Sequence, residues 1–513
     1  DRVMAAFGVL APAIVMAGSA KATYDLYPPG TPDLTALAAI FATPAARALY
    51  GAPADATSID ALSVVKSQVS SVVILLIVLV AVVRRHTRGD EESGRLELVG
   101  AGAVGRRAPL TAAVLEATGL LLVSVLATVL GLVGAGLDGV GSVAFGLGWV
   151  GLGLATIGIT AVAAQLAASN RTVGVIVAAT LGGAYLLRAV ADVGTGLGWL
   201  RWLTPFGWNE EVSAYGHNRM FVVLVPLAFA VAALALAYGL QDRRDLGAGL
   251  LPERPGPAHA AAGLDSPLAL AWRLQRGTFV AWLVGTLVMG VVVGSMGTSA
   301  TDMLSSPATA DLFRMMGVTS DTLVNTFFAA FIKIMSVYAA AFGVLSLLRL
   351  HTEEDAGRIE PLLATATSRT RVLGAAATIA LVGTVVLSLA GGVALGVAGA
   401  ISLHQWSLIG SLAGAALASA PAALVVVAVA ALLIGWAPRW ALAAWAVFAA
   451  AFFVADFGRL VGLPNAVVGL SPWDHVPSLP GGALDLGPLL LLLLVGVVFV
   501  VVADVGFRRR DIA

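Results

Sequence analysis

The sequence predicts an all-α polytopic membrane protein of twelve spanning helices, built as two tandem six-helix halves. Three observations predict it. Of 513 residues, 59% are hydrophobic and 12% charged, and the mean hydropathy is +0.92, outside the usual range of soluble domains. The apolar residues fall into stretches of about 20, the length that crosses a bilayer as a helix. An acidic stretch, Glu91-Glu92-Ser93-Gly94-Arg95-Leu96-Glu97, returns as Glu354-Asp355-Ala356-Gly357-Arg358-Ile359-Glu360. His86-Thr87 precedes the first copy and His351-Thr352 the second, and Arg106 falls in register with Arg369.

The first six spans are expected at residues 3–20, 62–83, 110–134, 142–168, 172–193 and 220–240. The second six follow at 279–296, 327–348, 373–400, 407–436, 440–457 and 486–505. The first span, with Arg2 before it and Ala17-Gly18-Ser19-Ala20 after it, has the outline of a secretory signal. Its counterpart, followed by Gly297-Thr298-Ser299-Ala300, lies deep inside the chain and can only be a span. The first helix is therefore expected to remain uncleaved.

Residues 1–245 form the first half and 246–265 a cytoplasmic linker, since Leu251-Pro252-Glu253-Arg254-Pro255-Gly256-Pro257 is too rich in Pro and Gly for a helix. Residues 266–513 form the second half. It opens on Ser266-Pro267, an N-cap and first-turn pair. Residues 268–276 then carry Trp272, Arg273 and Arg276, and read either as a short elbow-like helix in the membrane interface or as the amphipathic start of the seventh span.

Six is an even number, so both halves enter the bilayer in one orientation, as a parallel repeat. Further landmarks recur: Asn170-Arg171 with Pro438-Arg439, Ala191-Asp192 with Ala455-Asp456, Leu203-Thr204-Pro205-Phe206 with Leu470-Ser471-Pro472-Trp473. Each half ends alike, in Arg243-Arg244-Asp245-Leu246 and Arg509-Arg510-Asp511-Ile512. Arginines crowd the side that holds the acidic repeat, among them Arg84, Arg85, Arg88, Arg106, Arg107, Arg171, Arg243, Arg369, Arg439 and Arg509. Positive charge in short loops is retained inside, so the repeat and both termini are expected in the cytoplasm, and the Ala, Gly and Val bias suggests a GC-rich bacterial source. The loops opposite are too small for an independent domain.

Several classes are excluded. A net charge of zero and three lysines leave no basic surface for nucleic acid. No cysteine is present, so there is no thiolate nucleophile or thiolate metal site, and the six histidines show no metal-ligand spacing. None of Lys21, Lys66 and Lys333 follows a Gly, so the chain lacks a P-loop and binds no ATP by that route.

The acidic repeat cannot sit in lipid and must form a loop outside it. Gly94 and Gly357 suit a turn that needs positive φ. Leu96, Leu98 and Val99, and Ile359, Leu362 and Leu363, would give a short helix an apolar face for a protein partner to cover. Within the spans, Lys66 and Lys333 lie in the outer part of the second helix of each half. An intramembrane cation is a functional candidate, and Lys333 is the better one for the substrate pathway. Lys66 reads as snorkelling. Asp192 and Asp456 read as helix caps, Glu116 as the clearest carboxylate within a span, and Gly146, Gly148, Gly151, Gly182 and Gly183 as sites of close helix packing.

The segment from Glu354 to Arg369, Glu-Asp-Ala-Gly-Arg-Ile-Glu-Pro-Leu-Leu-Ala-Thr-Ala-Thr-Ser-Arg, resembles the loop between the second and third helices of ABC-2 type exporter permeases. Copy one is looser, with Gly102 and Gly105 in place of Thr and Ser. The fused six-plus-six layout with Arg-Arg-Asp endings is similar to actinobacterial permeases that export polyketide antibiotics such as tetronasin. The resemblance implies a type V exporter-like fold and two copies of a cytoplasmic ATP-binding subunit, which would hold the ATP and Mg; the permease itself carries no cofactor. It also implies that Glu91, Glu92, Gly94, Arg95 and Glu97, with Glu354, Asp355, Gly357, Arg358 and Glu360, couple to those ATPases. Antibiotics and other hydrophobic or amphipathic drugs are the implied substrates. The rival is a proton-coupled exporter of the major facilitator type, whose loop pattern Gly89-Asp90 to Gly94-Arg95 imitates. That class would leave Glu97 and Glu360 unexplained and would want buried carboxylates in the spans.

Overall fold

The computed structural model describes residues 2–27, 34–42, 44–194, 196–245, 247–251, 258–261, 263–297, 320–457 and 463–511. These form helices without strands, in two compact units, Asp1–Gly256 and Pro257–Ala513.

In the first unit the long helices are α1 (Arg2–Leu26), α2 (Ile59–Arg84), α4 (Ala108–Gly134), α5 (Gly139–Leu166), α6 (Asn170–Val193) and α8 (Leu224–Gln241). A six-residue helix α3 (Arg95–Gly100) lies between α2 and α4, and α7 (Pro205–Glu211) lies between α6 and α8. The second unit repeats the order: α9 (Pro267–Ser295), α10 (Ser320–Asp355), the short α11 (Glu360–Leu363), α12 (Arg369–Leu403), α13 (Ser407–Trp436), α14 (Ala444–Phe457) and α15 (Leu486–Arg509). Among the described residues, ten helices are long and apolar enough to cross a membrane. The positions of the expected first and eleventh spans are taken by α1, which carries Pro12, and by the shorter α14.

Capping side chains set where the helices begin. Ser58 starts α2, Asp138 α5, Ser169 α6, Ser266 α9, Ser368 α12 and Asp485 α15, each accepting a bond from a backbone N–H of the first turn. From Ser266 the helix runs unbroken to Ser295, so residues 268–276 are the start of the seventh span and not a separate elbow helix. No Pro or cap interrupts the run after Pro267, and Gly277 is tolerated inside it.

In the first unit α5 is the central strut. Its Trp149 is buried beside Phe145 in a core with Met16 and Ala20 of α1, Leu75 of α2 and Leu121 of α4. The first helix is thus part of the core. Glycines let neighbours approach: a Cβ on Gly151 would stand 2.5 Å from Pro226, and one on Gly146 2.6 Å from Val129. Gly148 likewise meets Asn209. Gly182 and Gly183 face open space, contrary to expectation, because they lie on the exposed side of α6.

The second unit buries α10, α12 and α13 over more than half of their apolar stretches, whereas α9 and α15 bury less than a quarter. Phe507 near the end of α15 is fully buried against the core of Val344, Leu347 and Val426. Gly290 and Gly294 of α9 pack on Ala394 and Leu395 of α12.

Candidate functional site

The repeated loop follows α2 in one unit and α10 in the other. In the first, α2 runs into a π-helical turn at Arg85–Gly89. Copy one has two more residues than copy two between the His-Thr pair and the acidic pair, and the wider turn lies at this place in the chain. Gly94 and Gly357 then reverse the chain with φ of +72° and +67°, as the sequence anticipated.

The acidic residues of the repeat do not share one environment. The Glu91 side chain is buried, with Oε1 2.6 Å from Arg244 Nη2 and Oε2 2.7 Å from Arg88 Nη1. Arg88 is fully buried. Its Nε donates to the Ala164 carbonyl at 2.6 Å and its Nη2 to that of Ala248 at 2.8 Å. Arg244 Nε donates to Gln165 Oε1 at 2.7 Å, and Arg106 donates to the carbonyls of Gln241 and Arg244. In the second unit Glu354 is buried with Oε2 2.6 Å from Arg510 Nη2, and Arg369 donates to the carbonyls of Arg508 at 3.0 Å and Arg510 at 2.6 Å. The two equivalent sets therefore join each loop to the end of the last helix in its own unit.

The other motif residues face outward or bind locally. Glu92 accepts from the backbone N–H of Asn170 at 2.5 Å, where a carboxylate also complements the N-terminal dipole of α6. Arg95 stands 3.6 Å from Asp90, and Asp355 3.4 Å from His351. Arg358 bonds Glu353, which holds its guanidinium charged above its ordinary value. Glu97 and Glu360 are exposed and form no ion pair among the described residues. Of the expected bare apolar face, Leu98 is open, Leu96, Leu362 and Leu363 are half-buried, and the side chain of Val99 lies outside the described residues. Leu98 is 79% exposed, whereas Ile359 is buried and Leu363 packs on the core of its own bundle. Ile359 follows Gly357 so closely that the turn folds it back onto α10 and α12.

Glu116 is half-exposed near the start of α4, 3.5 Å from His86 Nε2. Lys66 is exposed on α2. Lys333 pairs with Asp456 at 3.0 Å and, with Asn325, Ser419 and Trp473, lines a cavity of about 630 Å³. Asp456 is thus an ion-pair partner and not a helix cap. The same correction holds for Asp192, which is 2.6 Å from Arg201 Nε and 3.2 Å from Arg188 Nη1. Arg188 also bonds Glu210 at 2.7 Å. Both carboxylates also meet a cation from another segment, Arg201 for Asp192 and Lys333 for Asp456, which an end-of-helix position alone does not reveal.

A second cavity, of about 550 Å³, is a groove between α2 and α6 lined by Val73, Ile77, Val80, Leu181, Gly182 and Tyr185. Its walls are almost wholly aliphatic and aromatic. Sequence reasoning did not find it, and it also missed the partners of Glu91 and Glu354. The signal for those partners was present in the recurrence of Arg-Arg-Asp at the two ends and of Arg106 with Arg369; Arg88 has no counterpart in copy two.

Comparison with known proteins matches residues 264–508 to a family described as the C-terminal domain of multidrug efflux system permease Rv1217c. Over its whole length the chain is 38% identical to the multidrug efflux system permease protein Rv1217c of Mycobacterium tuberculosis (strain ATCC 25618 / H37Rv), covering 93% of that protein.

Proposed function

Because the chain belongs to the multidrug efflux system permease family, we propose that it is the transmembrane subunit of an ATP-driven ABC exporter of the ABC-2 type. It spans the bacterial plasma membrane twelve times with both termini inside, and binds two copies of a cytoplasmic ATP-binding subunit that hold ATP and Mg. The observation that carries this reading is the duplicated loop. Each copy is anchored by a buried carboxylate and offers an exposed one, Glu97 or Glu360, on a short helix. An ATPase groove that grips such a helix can push on the spans at either side of it.

The cargo is a hydrophobic or amphipathic compound, drawn along the groove between α2 and α6. The scarcity of charge there disfavours an ion or sugar. In the second unit Lys333, paired with Asp456, lines a cavity of about 630 Å³, where a cation can contact cargo. The chain itself is a permease and supplies no hydrolytic chemistry.

In vesicles holding the chain with its ATPase, export continues under a protonophore while ATP is maintained, and stops with vanadate or with substitution of the ATPase's phosphate-binding lysine. Movement of substrate by the chain alone down an imposed proton gradient would overturn the reading in favour of a proton-coupled facilitator.

A further inference from the structure

We propose that Arg244 and Arg510 are positioning residues that clasp the last helix of each half to its acidic loop, so that loop and helix move as one piece. The functional consequence rests on the exporter reading above; the clasp itself does not.

The argument starts from repetition. The Glu91–Arg244 and Glu354–Arg510 pairs join residues 153 and 156 positions apart, yet occupy equivalent places in two units of different detailed sequence. Both pairs are largely dry: side-chain exposures are 5% and 7% in the first, 8% and 14% in the second. In both, a second arginine reaches over from the start of the third helix. Arg106 and Arg369 each donate to one carbonyl in the last turn of the last helix, Gln241 or Arg508, which has no partner within the helix, and to one just beyond it, Arg244 or Arg510. Each helix end is thereby held through its side chain and its backbone together.

Stability alone is a weak reason for such an arrangement. A buried ion pair gains little over apolar residues of the same shape, but losing one partner is costly, so its strength lies in specifying one geometry. The last helices lean mainly on one neighbour each, α8 on α5 and α15 on α13, so a second fixed point sets their place in the bundle. α15 buries less than a quarter of its apolar stretch and α8 little more. The clasped carboxylates lie six residues from the exposed Glu97 and Glu360. A push on that exposed face therefore reaches the last helix directly, in addition to the second and third helices to which the loop is covalently joined.

The second half offers the cleaner test, because in the first Arg88 and Gln165 share the site and their loss would disturb folding. The chain has no cysteine, so one spin label at Asp511→Cys reports the tail alone. In the full chain in nanodiscs this label is immobile, and Arg510→Gln or Glu354→Gln frees it, whereas Arg510→Lys keeps it largely immobile. In vesicles with the ATPase, Arg510→Gln, which lies outside the coupling motif, still co-purifies with it and hydrolyses ATP at the basal rate, but export per ATP falls about tenfold, within the range of ordinary coupling free energies. Arg510→Lys recovers most of the loss, which a merely destabilised bundle would not do. An unchanged label spectrum in both glutamine variants overturns the clasp, and unchanged export per ATP overturns its role in transmission. If the parent complex exports nothing with ATP, the exporter reading fails while the label experiment still decides the clasp.

Discussion

Glu210 shows how one residue's surroundings make a measurable property. Burial pushes its carboxyl up to about 8; Arg188 and Arg201 pull it down, and the neighbouring Asp192 carboxylate pushes it further up. A carboxyl raised above its ordinary value of 4.5 takes up a proton on folding. The resulting stabilisation is full below the ordinary value and is lost as pH rises through about 8. The unfolding temperature of the purified chain is therefore expected to fall across that window, and Glu210→Gln to flatten the fall. Equal slopes for the two proteins would contradict it. The repeat's acidic residues divide on the same principle. Truncating the buried Glu354 strands Arg510 and costs about 3 kcal/mol, while an exposed carboxylate such as Glu360 costs within about 0.5 kcal/mol.

Among the elements, the loop helices α3 and α11 carry the coupling expectation. Glu97→Ala and Glu360→Ala together should leave insertion and unfolding temperature unchanged and still reduce drug-stimulated ATP hydrolysis, since both side chains are exposed. Normal export by the double variant would remove the loops from coupling. The loop turns were legible: Gly94 and Gly357 stand where a positive φ is needed, in open space. So was the Ser266-Pro267 start of α9. The apolar face of α11 was not, because a short helix beside a membrane bundle can cover its leucines with its own core or with a partner, and the pattern is the same for both.

For the whole molecule, the internal repeat and the arginine distribution make a topological statement. A cysteine placed at Ser93 or Ala356 in this cysteine-free chain should resist an impermeant thiol reagent added outside intact cells, and one at Ser478 should react. The reverse pattern would invert the molecule. Each unit packs around its own central helices, α5 in the first and α10, α12 and α13 in the second, and each ends its last helix under the same kind of loop.

Chain composition and spacing were enough to determine the membrane class, the order of the long helices, the duplication and the glycine turns. Those features are local or periodic: a run of about 20 apolar residues must be a span wherever it folds, and a repeat is visible by comparison with itself. Only the tertiary structure decided that Glu91 and Glu354 face inward to Arg244 and Arg510, that Asp192 and Asp456 bind cations, and which glycines pack. In a helix apolar all round, sequence does not mark the side that meets its neighbours. Partners more than 150 residues apart are brought together by the bundle, and nothing in the spacing between them records it.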